Sequence, residues 1–502
     1  MENPKWPKPP RTRPRPEGNM SKATFNPIWP ALALALAAGC NFAPKYSVPP
    51  VATPPAYKET NDWKTAEPAD ALLKGRWWEI FNDSQLNALE DQVLVSNQNI
   101  AAALENFLAA RAVAKQARSA FLPTVAADPS ATRTKPSSNV TGSSGSLYSA
   151  YALPLDATWE PDLWGSIRNT FRSSTYAAQA SAAQLENMRL TLQAELAADY
   201  FQLRAQDELI QLYDDTIKGY KDSVDLTRTL LETGIDSDLD VAQADTLLET
   251  TLAQATALGI QRAQYEHAIA LLVGQPASAF SLEPDPRPFL PPGVPVGLPA
   301  RLLERRPDIA AAERAVAQAN AGIGVARAAY YPTLNLTGGT GLQSSTFSKL
   351  LSASSFYWTL GAAASETIFD YGKRKAATEQ AWAEYRASVA NYRQTVLTAF
   401  QQVEDNLAAL RILAAETQQQ DVAVRASRKN LDLAVERYKQ GINNYLNVIT
   451  AQESLLSNQQ TAVNIRQQQM VSTVQLVMAL GGGWSASDLP APSRVLHASP
   501  SR

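Results

Sequence analysis

Two hydrophobic patterns alternate along this chain, one of period two and one helical. In FYWTLGAAASETIF (356–369), Phe356, Trp358, Leu360 and Ala362 fall on one side and Tyr357, Thr359, Gly361 and Ala363 on the other. That is the pattern of a strand with two unlike faces. TLNLTGGTG (333–341) sets Leu334 and Leu336 against Asn335 and Thr337. Tyr151, Leu153, Leu155, Ala157 and Trp159 stand opposite Ala152, Asp156 and Thr158. A fourth, weaker candidate strand lies near 124–134. The helical segments are very long. The stretch 373–440 holds neither proline nor glycine, and Gly219 is the only glycine from 166 to 233. At ~1.5 Å per residue such a helix reaches roughly 100 Å, so it must lie against other long helices. Alanine and glutamine dominate, as in TYAAQASAAQLENMRLTLQAELAADYFQLRAQ. Small residues allow close helix approach, and a polar back face meets water. This composition fits a solvated coiled-coil rod or a wall of helices around a wet lumen.

The whole pattern is written twice. IAAALENFLAARAVAKQARSAFLPTV begins at Ile100 and IAAAERAVAQANAGIGVARAAYYPTL at Ile309, an offset of 209 without a gap. Further on the offset becomes 207, pairing Gly165 with Gly372, Gly234 with Gly441 and Gly274 with Gly481. The period is too long for a solenoid. Each copy predicts a helix ending at Pro123 or Pro332, two strands, a very long helix, a glycine turn and a returning helix. The first repeat is placed at 76–290 and the second at 291–485, with a flexible C-terminal tail at 486–502.

Strands of about ten residues with one apolar and one polar face suit an outer-membrane barrel; a half-buried soluble sheet has the same alternation. Four strands cannot close a barrel, for which about eight is the minimum, and lipid does not tolerate an open edge. If these strands lie in a membrane, several chains must share one barrel.

The N-terminal region reads as an address. In MSKATFNPIWPALALALAAGC (20–40) a lysine precedes a short apolar run ending in Gly39-Cys40. The run is too short to span a bilayer, which takes about 20 residues, and reads as a signal peptide. Its end resembles a bacterial lipobox, with Cys40 as the lipidated mature N-terminus, although Ala37 stands where leucine is usual. An ordinary signal cleaved at an Ala-x-Ala-like site is the alternative. Residues 1–39 are thus signal, with the Pro- and Arg-rich 1–19 an upstream extension if Met20 is the start. The proline-rich 40–75 reads as an extended, lipid-anchored tether.

Composition then excludes other classes. Charged residues make up 19% with net charge −3, so nothing favours nucleic acid. One cysteine, Cys40, and two histidines, His267 and His497, leave neither an internal disulfide nor a metal centre. No nucleophile or phosphate-loop motif occurs. The expectation is no enzyme, no catalytic residues, no metal and no cofactor.

LLERRPDIAAAERAVAQANAGIGVARAAYYP (302–332) resembles the signature of the TolC-type outer membrane factors, in particular their NodT-type efflux lipoprotein branch. RWWEIFND (76–83), DLWGSIR (162–168), AFQQVEDNLAAL (399–410) and RYKQGINNYLNVITAQESL (437–455) resemble further landmarks in the family's order. The resemblance covers about 40–485. It implies a mainly α fold: a long-helix barrel, plus four strands per protomer in a twelve-stranded barrel shared by a homotrimer. It implies a passive exit duct held in outer-membrane lipid. Its partners would be a periplasmic adaptor and an inner-membrane resistance-nodulation-division pump.

In such a family the turns at Gly234 and Gly441 form the periplasmic tip. Leu446 matches a constricting leucine, while Asn447 and Thr450 stand where acidic side chains are usual. The first copy keeps acids at Asp236, Asp238 and Asp240, and Asp240 aligns with Asn447. This run either contributes a charged ring or merely starts the returning helix. Arg437 and Tyr438 either hold a closed tip or form ordinary helix-surface contacts. Two competing functions remain: a duct for type I protein secretion, and a lipid-anchored coiled-coil scaffold without a pore.

Overall fold

The computed structural model describes residues 41–59, 75–139, 145–235, 237–293 and 304–496. Cys40, Asp236 and the expected signal segment lie outside them. The helices are α1 (Ser84–Ser96), α2 (Gln98–Ser119), α3 (Ser166–Glu232), α4 (Asp238–Leu272), α5 (Pro307–Ala328), α6 (Lys373–Lys439), α7 (Tyr445–Ala479) and the short α8 (Pro492–Val495). The strands are β1 (Thr124–Ala127), β2 (Ser130–Thr134), β3 (Tyr148–Trp159), β4 (Thr333–Ser344) and β5 (Phe356–Ser365). The duplicated helices match in length. α2 and α5 have 22 residues each, α3 and α6 have 67, and α4 and α7 have 35. No helix among the described residues is both long and apolar enough to cross a membrane.

The sheet is antiparallel throughout, in the order β1-β3-β4-β5, with β2 also on β3. β1 and β2 are one strand interrupted. Ala127 faces Leu155 and Ser130 faces Ala152, so the register continues unbroken across the gap. Pro129 and Pro154 fall in that gap, and neither has an N–H for the ladder. The two prolines explain why the 124–134 pattern is weak in sequence and split in space.

α3 is the spine, packing on α1, α2, α4, α5 and α7. The largest core lies part-way along it, where Trp77, Trp78, Leu86, Tyr200, Phe201, Ile269, Ile309, Val403 and Val477 meet. A buried polar knot fixes the link between the repeats to this core. Asp207 accepts from Arg204 and Arg262, each at 2.7 Å, and from the Asp285 backbone N–H at 3.0 Å. Such a charge is tolerable in the interior only because it is paired and hydrogen-bonded.

Each repeat closes on itself in the same way. Asn97, at the start of α2, donates to the Leu272 carbonyl at 2.8 Å; its counterpart Arg306, at the start of α5, donates to the Ala479 carbonyl at 3.0 Å. Just beyond those helix ends, Gly274 and Gly481 turn with φ of 72° and 95°. A Cβ would stand 2.5 Å from the Ser96 carbonyl oxygen at the first and 2.1 Å from that of Arg305 at the second.

Residues 41–59 run as a strap along α5 and on to α6. The Phe42 ring lies on Tyr331 at 4.4 Å, Asn320 donates to the Pro44 carbonyl, and Glu59 pairs with Arg411 at 2.7 Å. Of the tail expected to be flexible at 486–502, the part up to 496 is packed against the repeats, and 497–502 lie outside the described residues. Trp484 and Leu489 pack on Ala183, Ala310 and Ala311, Gln179 donates to the Pro490 carbonyl, and Val495 is buried. Short apolar residues without periodicity are held there by a tertiary seam.

Two outcomes are expected of this packing. Gly481→Ala should destabilise the fold by on the order of 1–3 kcal/mol from backbone strain alone, read as a lower melting temperature in detergent. Glu90, on α1, is fully buried, and neither carboxylate oxygen has a partner among the described residues. Burial, and then the neighbouring Asp91, push its carboxyl well above the usual range. The fold therefore holds a proton that the unfolded chain releases, and stability falls as pH rises above the ordinary carboxylate range. Glu90→Gln should flatten the decline in melting temperature between about pH 5 and 8.

Candidate functional site

The site has two ends, the strand wall and the helix turns. Pairing registers place Val125, Ala127 and Ala131 on one face with Leu153, Leu155, Ala157 and Trp159. Leu334, Leu336 and Leu342 of β4 and Phe356, Trp358 and Leu360 of β5 share that face. Most of these side chains are exposed in the lone chain. The other face carries Thr124, Thr132, Asp156, Thr158, Asn335, Thr337, Gln343 and Thr359. Gly339 and Gly361 keep it low: a Cβ at Gly339 would meet the Asp156 carboxylate at 2.6 Å. One face suits lipid and the other water. Among the described residues, neither outer edge, 124–134 or 356–365, has a further strand partner.

At the strand roots, aromatic side chains gather, as expected of a membrane interface. Trp164 stacks on Tyr331 at 5.0 Å and donates to the Pro332 carbonyl at 2.7 Å. Arg327 lies 5.4 Å over Trp382, and Arg374 lies 5.4 Å over Tyr330.

At the far end, both hairpins turn identically. Gly234 N–H donates to the Leu231 carbonyl and Ile235 N–H to that of Leu230, each at 2.9 Å. Gly441 donates to Tyr438 at 2.8 Å and Ile442 to Arg437 at 2.9 Å. These are two Schellman caps, with glycine at the left-handed position. A local core of Ile217, Tyr220, Val224, Leu248, Tyr438, Tyr445 and Val448 holds the hairpins together, and Gln452 donates to Ser223 at 2.9 Å between them.

The predicted tip residues fall as follows. Leu446 is exposed on the first turn of α7, beside exposed Asn447. Thr450 turns its hydroxyl back to the Leu446 carbonyl at 3.0 Å. Asp238 opens α4, and Asp240 is committed to a capping box, accepting from the Ser237 hydroxyl at 2.7 Å while its own N–H meets that hydroxyl. The helix-start role of Asp240 is therefore present in the geometry. Arg437 is exposed, and Tyr438 is buried against Tyr445 at 5.3 Å. Leu231 and Asp238 hold the equivalent places in the first hairpin, which instead uses an Arg228–Asp245 ion pair at 3.0 Å. The reading by residue type missed Ile235, Leu239 and Ile442, which are all exposed. The repeat offset of 207 pairs Ile235 with Ile442 and Leu239 with Leu446, and that signal was available. Among the described residues no cluster of metal-binding side chains exists.

The Outer membrane efflux protein family matches residues 89–275 and 298–482, one stretch in each repeat. The chain belongs to this family. The solvent efflux pump outer membrane protein SrpC of Pseudomonas putida is 33% identical over 466 residues, covering 91% of this chain and 98% of SrpC. The cation efflux system protein CusC of Escherichia coli is 29% identical over 468 residues, covering 93% and 100%. The solved outer-membrane channel OprN superposes with a TM-score of 0.81 at 29% identity, covering 89% of this chain and 100% of that one. The open state of the Neisseria gonorrhoeae MtrE channel gives 0.79 at 28% identity, with 89% and 99% covered. As a member of the outer membrane efflux family, the protein is an outer-membrane exit channel whose long helices extend into the periplasm.

Asp240→Ala should fray only the first hairpin, since cap loss costs about 1 kcal/mol. Amide hydrogen exchange should quicken at 238–242 and stay unchanged at 445–449.

Proposed function

We propose that three copies of this chain close a twelve-stranded barrel and form the passive duct of a tripartite efflux pump. The observation that carries this is a four-stranded sheet with an exposed apolar face and both edges unpaired. Neither edge is tolerable in lipid until it meets another strand. Energy and cargo choice belong to an inner-membrane pump of the resistance-nodulation-division kind, reached through a periplasmic adaptor at the tips. Relatives at similar identity carry solvent and cation efflux in their names, so the duct itself is a poor guide to cargo.

The tip is the gate in this reading. Leu239 and Leu446, with Ile235 and Ile442, would give rings of aliphatic side chains in three copies, narrow enough to exclude water when closed. Asn447, Thr450 and Asp238 would line the polar side of the constriction, and Tyr438 with Arg437 would brace the second hairpin. Lipidation at Cys40 suits the strap, because Asn41 accepts from Asn169 at 3.0 Å in the first turn of α3, next to the strand roots.

Purified protein in planar bilayers should run as a trimer and conduct poorly at rest. Leu239→Ser with Leu446→Ser should raise single-channel conductance several-fold, each single change less. Cys40→Ala, exported with a standard signal, should still need detergent for extraction. A soluble, non-conducting Cys40→Ala product, together with a silent wild-type protein, would sink the duct.

A further inference from the structure

Where the first repeat fills a gap beside its strand roots, the second leaves one open. In the first, Phe121 just past α2 meets Phe171 on α3 edge to face, with ring centres 5.8 Å apart. Their copies are Tyr330 and Thr378. Threonine is too short to close that gap. A cavity of about 270 Å³ stands there, between the end of α5 and the first turns of α6. Tyr330, Lys375, Thr378, Glu379, Trp382 and Arg386 line it. Pockets for drug-sized ligands run upward from about 300 Å³, so this one suits a smaller group.

The charges differ between the repeats as well. Lys375, Glu379 and Arg386 stand where the first repeat has Arg168, Arg172 and Gln179. Arg168 pairs with Asp162 at 3.7 Å, and Gln179 is buried, donating to the Pro490 carbonyl of the tail at 2.8 Å. Their copies are less engaged. Lys375 and Glu379 approach only to 3.9 Å and are mostly exposed, a pair worth little on a wet surface. Arg386 is exposed, with neither an ion pair nor a hydrogen bond among the described residues. The cavity thus presents two cations, one carboxylate and two aromatic walls.

Its position says what reaches it. Tyr330 lies just before β4, which begins at Thr333, so the cavity sits at the strand roots. It also opens on the strap's side of the helices. Arg327, which lies over Trp382, donates to the Phe42 carbonyl of the strap at 3.4 Å. Glu404 and Arg411 hold the strap further along α6. They lie about five and about seven whole turns from Arg386, hence on the same side of that helix. A strap that begins beside Cys40 runs outside a duct, where the strand roots meet the headgroup layer flanking the hydrocarbon.

Resting on the outer-membrane duct reading, we propose that each chain binds one phospholipid headgroup in this cavity, of the phosphoethanolamine kind. Its phosphate meets Lys375 and Arg386 in charge-assisted contacts. Its ammonium meets Glu379, a carboxylate that would repel a purely anionic headgroup. Trp382 and Tyr330 flank the glycerol, as rings do where apolar meets wet. The second repeat alone carries the site, because Phe171 occupies its place in the first.

The test measures lipid retained by the full chain in detergent, by native mass spectrometry, with phosphatidylethanolamine, phosphatidylglycerol and phosphatidylcholine compared. Wild-type protein should retain one phosphatidylethanolamine per chain after loosely held lipid is stripped, in preference to the other two. Three substitutions each install the first repeat's residue. Arg386→Gln should lower the affinity about tenfold, the size of one lost charge-assisted contact. Thr378→Phe should abolish retention by filling the cavity. Glu379→Arg should turn the preference to phosphatidylglycerol. All three should keep the helix content, oligomer mass and conductance of the wild type. Equal retention by wild type and variants would overturn the site and leave the duct standing. So would a wild-type preference for phosphatidylglycerol, a Glu379→Arg chain that still prefers phosphatidylethanolamine, or inorganic phosphate that competes as well as the lipid. A wild-type chain that is soluble without detergent would overturn the duct, and the site with it.

Discussion

Unpaired backbone is the constraint on which the rest depends. A strand edge in hydrocarbon leaves N–H and C=O groups with no partner, and no side-chain chemistry substitutes for a closed ladder. Among the described residues this chain has two such edges, 124–134 and 356–365, and each calls for a further strand in lipid. The helices inherit that condition. Each hairpin of strands continues directly into α3 or α6, and these run 67 residues without a break. Whatever geometry closes the sheet also sets where the long helical hairpins lie at the far end. The ends of the molecule are coupled by stiff helices rather than by a chain of adjustable contacts.

The long helices were legible because nothing interrupts them, and the strands because β3, β4 and β5 alternate cleanly. The 124–134 strand was faint for a physical reason: Pro129, and Pro154 across from it, remove ladder donors and blur its pattern. Leu446 was singled out through resemblance, whereas Leu239 was overlooked. An exposed leucine in a hairpin turn looks like any surface leucine until its copy is known. Asp240 shows the opposite difficulty. Its charge stood out, but its carboxylate is engaged by Ser237 at the start of α4, a detail that only backbone geometry reveals. The tail at 486–496 has no period to detect. It is ordered by the alanine seam of Ala183, Ala310 and Ala311, which it covers.

The two repeats are alike in length and different in detail where it matters. The first hairpin is clamped by Arg228 and Asp245, the second by Tyr438 on Tyr445. An ion pair weakens with salt and is easily exchanged for water; a buried aromatic pair is neither. Both hairpins nonetheless share one apolar cluster, with Ile217, Tyr220, Val224 and Leu248 of the first beside Tyr438, Tyr445 and Val448 of the second.

The strap at 41–59 has a consequence for assembly. Two seams of nearly equal shape compete for the same faces, since α3 and α6 are copies and so are α5 and α2. A repeat that took its neighbour's seam would begin an open-ended filament instead of a ring. The strap removes the ambiguity. It binds Asn169 through Asn41 and Asn320 through Pro44, and at the other seam those places are Ala376 and Arg111, which offer neither amide. One strap per chain thus acts as a label on one seam in two. It thereby ties the first repeat to the second within one chain and distinguishes that seam from its near-copy.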